Sequence, residues 1–565
     1  MESSDPASLA AAASKALKLA AEYSYGCMKD DGHWCAGLLG NPALTAEYVF
    51  LHLSMGHDFG TDPDTPALSK WLLSQQNPAD GSWGLAPHYP GDASMTVEAY
   101  FALKILQVPV DDPAMIPVEL ILLPTYCPEN VYNLSYWARV TVVPMMVVRH
   151  HEPIYALPKG AQADYLDELW IDPSKKNVPY FPPLRNSLWK ADAFTVAFTV
   201  LDKTMSFLGG SEPDGDLGHT IPPMYAANLA LKEEGWSVCD SAVQLLLGAV
   251  ERHTTTDSMG KRLQCALSPL WDTVLMTVAL VDSEHADERL DQTMQWINKS
   301  QYFGPNGDWR VNNPTLPPGS WAFQHFNTWY PDTDDTAAAL LALLKGRPAM
   351  RRLVLRLPRY TVDRGDAKSR WRLDVTGHML ECYGLQVSSP YRKKLNEDLL
   401  RRMRESASRA IGFLELTQTK AGAWWGRWAS NYIFGTSCVL CGLEHFTDHD
   451  PRVRPMVRRG LAWMKSVQNS DGGWGETLES YRDPDQAGVG PSSAQHTAWG
   501  VMSLLAHLPP ADPHIKRGVS YLLSQQTKLD DGLPGASWPM YAHYTAIGFP
   551  LHFWLEYTLY VTISP

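Results

Sequence analysis

Three carboxylates crowd into four residues at Asp332-Thr333-Asp334-Asp335, directly ahead of the apolar run Ala337-Ala338-Ala339-Leu340-Leu341-Ala342-Leu343-Leu344. Like charges at that range push at least one pKa well above the usual carboxylate value of about 4. One of these acids is therefore expected to keep its proton, and a carboxylic acid held beside apolar residues can serve as a proton donor. The same residues suit two plainer uses. An Asp or Thr before an apolar helix caps free backbone N–H groups, and acidic residues favour a helix N-terminus. Taken alone, the stretch reads as a helix cap or a metal site.

Other candidate chemistry is sparse. The eight cysteines show neither disulfide-framework nor zinc-ribbon spacing, and Cys438-Val439-Leu440-Cys441 sits in an apolar run as two core residues would. A reduced, cytosolic chain is the simplest expectation. A net charge of −13 and a pI of about 5.8 argue against nucleic acid as a partner. The basic residues scattered from Arg351 to Arg404 read as solvated helix faces. The opening Met1-Glu2-Ser3-Ser4-Asp5 lacks the basic-then-apolar pattern of a signal peptide, and no apolar run reaches the length of a membrane span. The surplus is aromatic, with 21 Trp, 24 Tyr and 15 Phe.

A chain of 565 residues exceeds one ordinary core, so two domains or a repeat architecture are expected. Repeats are present. An amphipathic helix followed by a polar turn ending in Gly-x-Trp recurs at Gly32-His33-Trp34, Gly81-Ser82-Trp83, Gly307-Asp308-Trp309, Gly422-Ala423-Trp424, Gly472-Gly473-Trp474 and, stretched, Gly535-Ala536-Ser537-Trp538. Gln76, Gln301, Gln418, Gln468 and Gln526 precede these turns. Such a period marks helix pairs that bury their apolar faces by stacking on neighbours, and it predicts a nearly all-α fold. Gly permits the tight turn, Gln can bond the adjacent backbone, and the indole N–H needs a partner, so the repeat residues read as staples between helices. Further helices are predicted around Glu47 and over 92–106. The run Ala242–Val250 fits either a core helix or a helix lying in a lipid interface.

Asp332-Thr333-Asp334-Asp335-Thr336-Ala337, the Gln…Gly-x-Trp repeats and Gly548-Phe549-Pro550 together resemble the class II terpene cyclases of the squalene–hopene cyclase type, over most of the chain from Trp34 to Tyr560. Thr96-Val97-Glu98-Ala99-Tyr100, Ser268-Pro269-Leu270-Trp271-Asp272-Thr273, Asp374-Val375-Thr376-Gly377-His378 and Gly426-Arg427-Trp428 also match. The resemblance implies an all-α fold of two α/α-barrel (toroid) domains with a central apolar cavity between them. One domain would span 20–255, inserted into another made of 1–19 and 256–565. It implies protonation of a plain alkene and cyclisation of squalene or a related polyprene through carbocations, without metal or other cofactor. By this analogy Asp334 is the general acid, Asp332 and Asp335 hold and polarise it, and His378, four residues after Asp374, donates a hydrogen bond to the cluster. Ring faces stabilise a passing cation without attacking it, and the positions matching the family's cavity lining are Trp189, Trp271, Phe323, Trp428, Phe549, Phe553, Tyr557 and Tyr560. A helical segment would put Phe549, Phe553 and Tyr557 on one face.

Two departures stand out. Phe434 occupies a position where the family usually has a tyrosine, and the interval from Asp335 to Asp374 lacks a repeat that the family carries. The cavity wall is thus altered, which leaves a shorter or aromatic-linked prenyl substrate as an alternative. A toroid acting as a binding or prenyl-transfer subunit is a second alternative from another class. A water-insoluble substrate implies peripheral association with one membrane leaflet, on the cytoplasmic side of an intracellular membrane, with residues 237–250 as a candidate contact. The family also tends to form homodimers.

Overall fold

The computed structural model describes residues 6–78, 81–86, 89–106, 216, 220–304, 318–324, 331–346, 373–388, 396–540, 545–549 and 553–563. In chain order these form α1 (Pro6–Gly26), β1 (Leu38–Gly40), α2 (Pro42–Ser54), α3 (Thr65–Ser74), α4 (Ala93–Ile105), α5 (Ile221–Glu233), α6 (Ser241–Arg252), β2 (Thr254–Asp257) and β3 (Gly260–Leu263). There follow α7 (Pro269–Asp282), α8 (Arg289–Lys299), α9 (Thr333–Lys345), α10 (Leu373–Ser388), α11 (Glu397–Thr417), α12 (Asn431–Leu443), α13 (Val453–Ser466), α14 (Ala494–Leu505), α15 (Pro513–Gln525), β4 (Ala546–Phe549), β5 (Phe553–Tyr557) and α16 (Tyr560–Ile563). The chain divides into two compact units, one of residues 1–41, 85–88 and 267–565, the other of 42–84 and 89–266. All of α1 thus belongs to the first unit, and the divisions fall at Asn41/Pro42 and Ala266/Leu267. No described helix is long and apolar enough to cross a membrane.

The smaller unit packs α2 against α4 and α5, α5 against α6, and the β2–β3 hairpin on α3. The buried Lys261 on β3 bonds Asp64 and Glu251, each at 2.6 Å. Arg262 beside it reaches across the Trp71 ring at 4.8 Å. These contacts tie the hairpin to the helices.

The repeats are staples of one geometry. The indole N–H of Trp34, Trp424, Trp474 and Trp538 donates to a carbonyl of the preceding helix, at Ser24, Leu414, Met464 and Leu522 respectively, over 2.7–2.8 Å. Trp83 does the same to Leu72 in the smaller unit. Gln418 donates both to Gly422 O in its own turn and to Met456 O on α13, and Gln468 likewise to Gly472 O and His514 O. A further partner was not foreseen. The backbone N–H of Trp34, Trp83, Trp424 and Trp474 donates to the hydroxyl of Thr273, Thr96, Thr436 and Thr497, in each case on a neighbouring helix. Gly422 needs its positive φ of 104°, and a Cβ there would lie 2.5 Å from Arg459 O.

Two expectations need correction. The third staple is not Gly307-Asp308-Trp309, which lies outside the described residues. Its indole is Trp321, which donates to Ile297 O at 2.7 Å, while Gln301 donates to Gly319 O. The segment carrying Phe549, Phe553 and Tyr557 is not helical. It forms strands β4 and β5, which with β1 make a three-stranded antiparallel sheet ordered β1-β5-β4. Pro550 removes a helix donor, and β5 (Phe-Trp-Leu-Glu-Tyr) alternates along a strand, so Phe553 and Tyr557 still share one face. On the opposite face, buried Glu556 accepts from Gln495 and Thr545.

Burial in the larger unit sets a pH dependence of stability. Asp272 and Glu556 are fully buried, and burial pushes both up to about 8, while burial takes His496 down to about 4. Above its ordinary pKa each carboxyl is ionised in the unfolded chain but still protonated in the fold, so its stabilising contribution drains away as pH rises towards 8. The His496 contribution is complete above about 6.5 and is lost only as pH falls towards 4. Tm is therefore expected to fall between pH 6.5 and 8 in calorimetry. A Tm that climbs over that interval contradicts the buried, neutral carboxyls.

Candidate active site

Asp332 is the N-cap of α9, its carboxylate accepting from the backbone N–H of Asp334 (2.6 Å) and Asp335 (3.3 Å). Capping and acid chemistry therefore coexist, because Asp332 satisfies the helix end and leaves Asp334 and Asp335 on its first turn. The staple indole's residue fixes that turn. Trp321 O accepts from Asp332 N at 2.8 Å, and Trp321 N donates to Thr336 Oγ1 at 3.1 Å.

Asp334 Oδ1 lies 2.7 Å from Nδ1 of His378 on α10. The two side chains keep 13% and 22% of their surface exposed, whereas Asp335 is 2% exposed. The pair, not Asp335, is thus what a substrate can touch. Burial works against an imidazolium at His378, but the Asp334 charge, its hydrogen bond and a hydrogen bond to Cys438 outweigh it and raise the pKa well above the ordinary histidine value. This favours the imidazolium, with Nδ1–H placed to donate to Asp334. Asp335 is held well above the carboxylate range by burial and by Asp332, Asp334 and Asp272.

Asp374 occupies the first turn of α10 and is fully buried, its pKa raised by burial and by Asp334. Although four residues before His378, it bonds elsewhere. Its carboxylate accepts from the backbone N–H of Arg427 (2.9 Å), Trp428 (3.1 Å) and Val375 (3.0 Å). Asp374 thereby holds the turn that carries Trp428, whose ring lies 4.2 Å from the Arg427 guanidinium.

Rings surround the acid pair. Trp271 on α7 and Phe434 on α12 lie 5.8 and 6.4 Å from the His378 ring. Trp499 on α14 lies 4.9 Å from Phe434 and 5.8 Å from Tyr560, which stacks on Tyr557 at 4.6 Å. The Trp271 N–H is engaged by Tyr560 OH at 3.1 Å. Of the residues read from the sequence, Asp332, Asp334, Asp335, His378, Trp271, Phe434, Tyr557 and Tyr560 come together here. Phe323 and Phe553 are half-buried, without a ring contact to this group among the described residues. Trp189 and the Phe549 side chain lie outside the described residues. Trp499 and Cys438 also belong to the group; no motif marks Trp499, and Cys438 reads from the sequence only as a core residue.

A carboxylic acid beside an imidazolium is a strong proton donor, because the bonds it receives strengthen as its negative charge develops. Desolvated ring faces stabilise a cation by about 0.5–2 kcal/mol each. The arrangement can protonate an apolar, electron-rich group and shelter the resulting cation.

Comparison with known proteins agrees with this class of fold. The models of the squalene–hopene cyclase N-terminal and C-terminal domains match residues 17–116 and 107–259, and residues 267–356 and 362–565, respectively. The chain belongs to the squalene–hopene cyclase family of class II terpene cyclases, with its α/α-toroid fold. It is 37% identical to enfumafungin synthase of Hormonema carpetanum over 98% of its own length but spans about half (50%) of that relative. It is 37% identical to a squalene hopane cyclase of Aspergillus fumigatus, covering 95% of this chain and 87% of the relative. That alignment runs over 656 positions, more than the 565 residues present here, so the relative carries stretches this chain lacks. The C-terminal match breaks between 356 and 362, inside the interval from Asp335 to Asp374. Among solved structures, an ent-copalyl diphosphate synthase from Streptomyces platensis shares the fold, with a TM-score of 0.54 at 17% identity over 98% of this chain and 97% of that one.

Proposed function

We propose that this protein is a protonation-initiated cyclase that converts squalene, or a related linear polyprene, into a polycyclic product. The observation that carries the reading is the Asp334–His378 pair, 2.7 Å apart and partly exposed among Trp271, Phe434, Trp499 and Tyr560. Asp334 delivers its carboxyl proton to a terminal double bond. The carboxylate left behind is stabilised by His378 and by the N-terminus of α9. The cation then moves along the folded chain as successive double bonds close rings, and loss of a proton ends the sequence, so the reaction is a net isomerisation. Asp332 caps the helix and Asp374 positions the Trp428 turn.

A second reading keeps the chemistry and changes the substrate. Phe434 and the shortened stretch after Asp335 alter the wall, which favours a shorter or aromatic-linked prenyl chain. Mass spectrometry of products from purified protein given squalene, C15 and C20 prenyl chains and aromatic-linked prenyl substrates separates the two. Failure of every substrate to yield a cyclised product would falsify the cyclase reading.

Delivery of such a substrate calls for peripheral membrane association, on the cytoplasmic side of an intracellular membrane. Helix α6 buries Val243, Leu246, Ala249 and Val250 and turns Leu245 outward at 49% exposure, near Trp236 at 44%. An exposed Leu on an amphipathic helix, with an exposed Trp in the turn that precedes it, suits a lipid interface. The protein is expected to float with vesicles, and the Trp236→Glu/Leu245→Glu variant to remain largely in the soluble fraction. Equal flotation of both sinks this contact. A homodimer remains the expectation taken from the family, checked by sedimentation.

A further inference from the structure

His496 on α14 is a fully buried histidine that the acid chemistry leaves unused, and both of its ring nitrogens are bonded. Nε2 lies 2.9 Å from the Ser430 hydroxyl and 3.2 Å from Ser430 O, and a carbonyl can only accept, so Nε2 carries the proton. Nδ1 lies 2.7 Å from the Ser493 hydroxyl, which donates to it while accepting from the backbone N–H of His496 at 3.2 Å. The Ser430 hydroxyl donates in turn to Thr545 O at 3.1 Å. A second ring proton would leave the Ser493 hydroxyl without its acceptor, so the bonds fit the neutral imidazole. Burial works in the same direction, taking its pKa down to about 4. Ser430 and Ser493 are the N-caps of α12 and α14. The plane of the imidazole is thus fixed by the starts of two helices.

One turn further along α14 the imidazole meets Trp499, with 5.4 Å between ring centres and 85° between planes. Trp499 lies 4.9 Å from Phe434 and 5.8 Å from Tyr560, and Phe434 lies 6.4 Å from the His378 ring. A continuous series of ring contacts therefore runs from His496 to the acid pair. Trp499 also differs from the indoles around it. Trp271 is pinned through its N–H by Tyr560 at 3.1 Å, and the staple indoles are pinned by helix carbonyls. The Ser437 hydroxyl holds the Trp499 carbonyl at 2.8 Å, but the indole N–H makes no hydrogen bond among the described residues. The pitch of this ring is left to the side chains packed against it. Pitch matters because the face of an aromatic ring attracts a cation and its edge repels one.

We propose that His496 is a positioning residue that sets the pitch of the Trp499 ring and, through it, how many rings close before the cation loses its proton. This rests on the cyclase reading given above. A cation formed beside Phe434 has Trp499 as the adjoining ring. With the indole face turned towards it, the cation survives until the next double bond attacks. With the indole tilted, proton loss competes sooner and a product with fewer rings leaves. Either route returns the one proton that Asp334 supplied, so the reaction stays a net isomerisation. The neutrality of His496 serves the same end, since an imidazolium behind Trp499 would oppose the cation in front of it. His496 is 0% exposed and acts only through its neighbour.

His496→Gln tests this, because the amide keeps a donor for Ser430 but presents no ring to Trp499. The full-length protein is given the substrate of the panel above that the unaltered protein cyclises, and the products are separated by gas chromatography and assigned by mass spectrometry. The share released before the last ring closes is expected to rise about fivefold or more, with turnover per folded molecule kept within about threefold because the Asp334–His378 pair is untouched. Trp499→Phe is expected to shift the products in the same direction, and His496→Gln added to it to change them no further. Where His496→Gln does not fold, His496→Asn, which keeps an acceptor for Ser493, takes its place with the same readings. An unchanged product ratio overturns the proposal, as does a loss of turnover without a change in ratio, which marks His496 as a support of the fold. A further shift of equal size in the Trp499→Phe background overturns it as well. Absence of any cyclised product from the unaltered protein overturns the cyclase reading itself, and the role of His496 falls with it.

Discussion

Asp334→Asn is expected to lower polyprene cyclisation by about 10³-fold or more, with Tm and substrate binding near those of the unaltered protein. An amide has nearly the shape of the carboxylic acid and still accepts a bond from His378 Nδ1, so the helix end and the ring group stay in place. What disappears is the acidic proton. An isolated alkene is a very weak base, and no other acid described near Asp334 combines exposure with a cationic partner: Asp335 is 2% exposed and Asp374 is fully buried on the Arg427 and Trp428 amides. Asp334→Glu separates acidity from position, since it keeps the proton but moves it by one methylene from a partner set at 2.7 Å. An intermediate loss of roughly 10–100-fold is expected for it. Wild-type turnover by Asp334→Asn, measured by product mass spectrometry, removes Asp334 as the acid and with it the mechanism.

How far the sequence reveals this site depends on whether a residue's partner is local. Asp332 before an apolar helix is a local signal, and its capping bonds reach only to Asp334 and Asp335. The indoles of the repeats are also legible, since each bonds a carbonyl of the helix just before it in the chain. Trp321 was missed because Trp309 follows Gln301 more closely, whereas the actual turn is longer and returns at Gly319. The threonine partners lie on a neighbouring helix, for Trp34 as far along the chain as Thr273, where an isolated Thr carries no pattern. Asp374 shows the limit of spacing arguments. An i, i+4 interval suggested a pair with His378, but a side chain on the first helical turn can reach back to the preceding loop, and here two amides at 427 and 428 take it. Trp499 and Cys438 face the acid centre from helices buried over most of their length, and only the packing of α14 and α12 shows which face is turned inward.

That packing makes a second large effect. Helices α10 and α12 meet backbone to backbone: a Cβ on Gly377 would lie 2.3 Å from Cys438 O, and one on Gly442 would lie 2.3 Å from Gly377 O. Gly377→Ala therefore cannot be relieved by turning a side chain, and the helices must separate. Overpacking of this kind costs about 1–3 kcal/mol, or more when backbone has to move. The consequence is sharper for activity, because the next residue is His378, whose reach to Asp334 is 2.7 Å. A shift of about 1 Å at such a contact is enough for a loss of roughly 10²-fold. Gly384→Ala is the control. It lies on the same helix but six residues beyond His378, and its Cβ would meet His445 Cβ at 2.4 Å. It is expected to lower Tm while keeping turnover per folded molecule near normal. Gly377→Ala should lose both, and if it keeps both, the close approach of α10 and α12 is not what sets the acid pair.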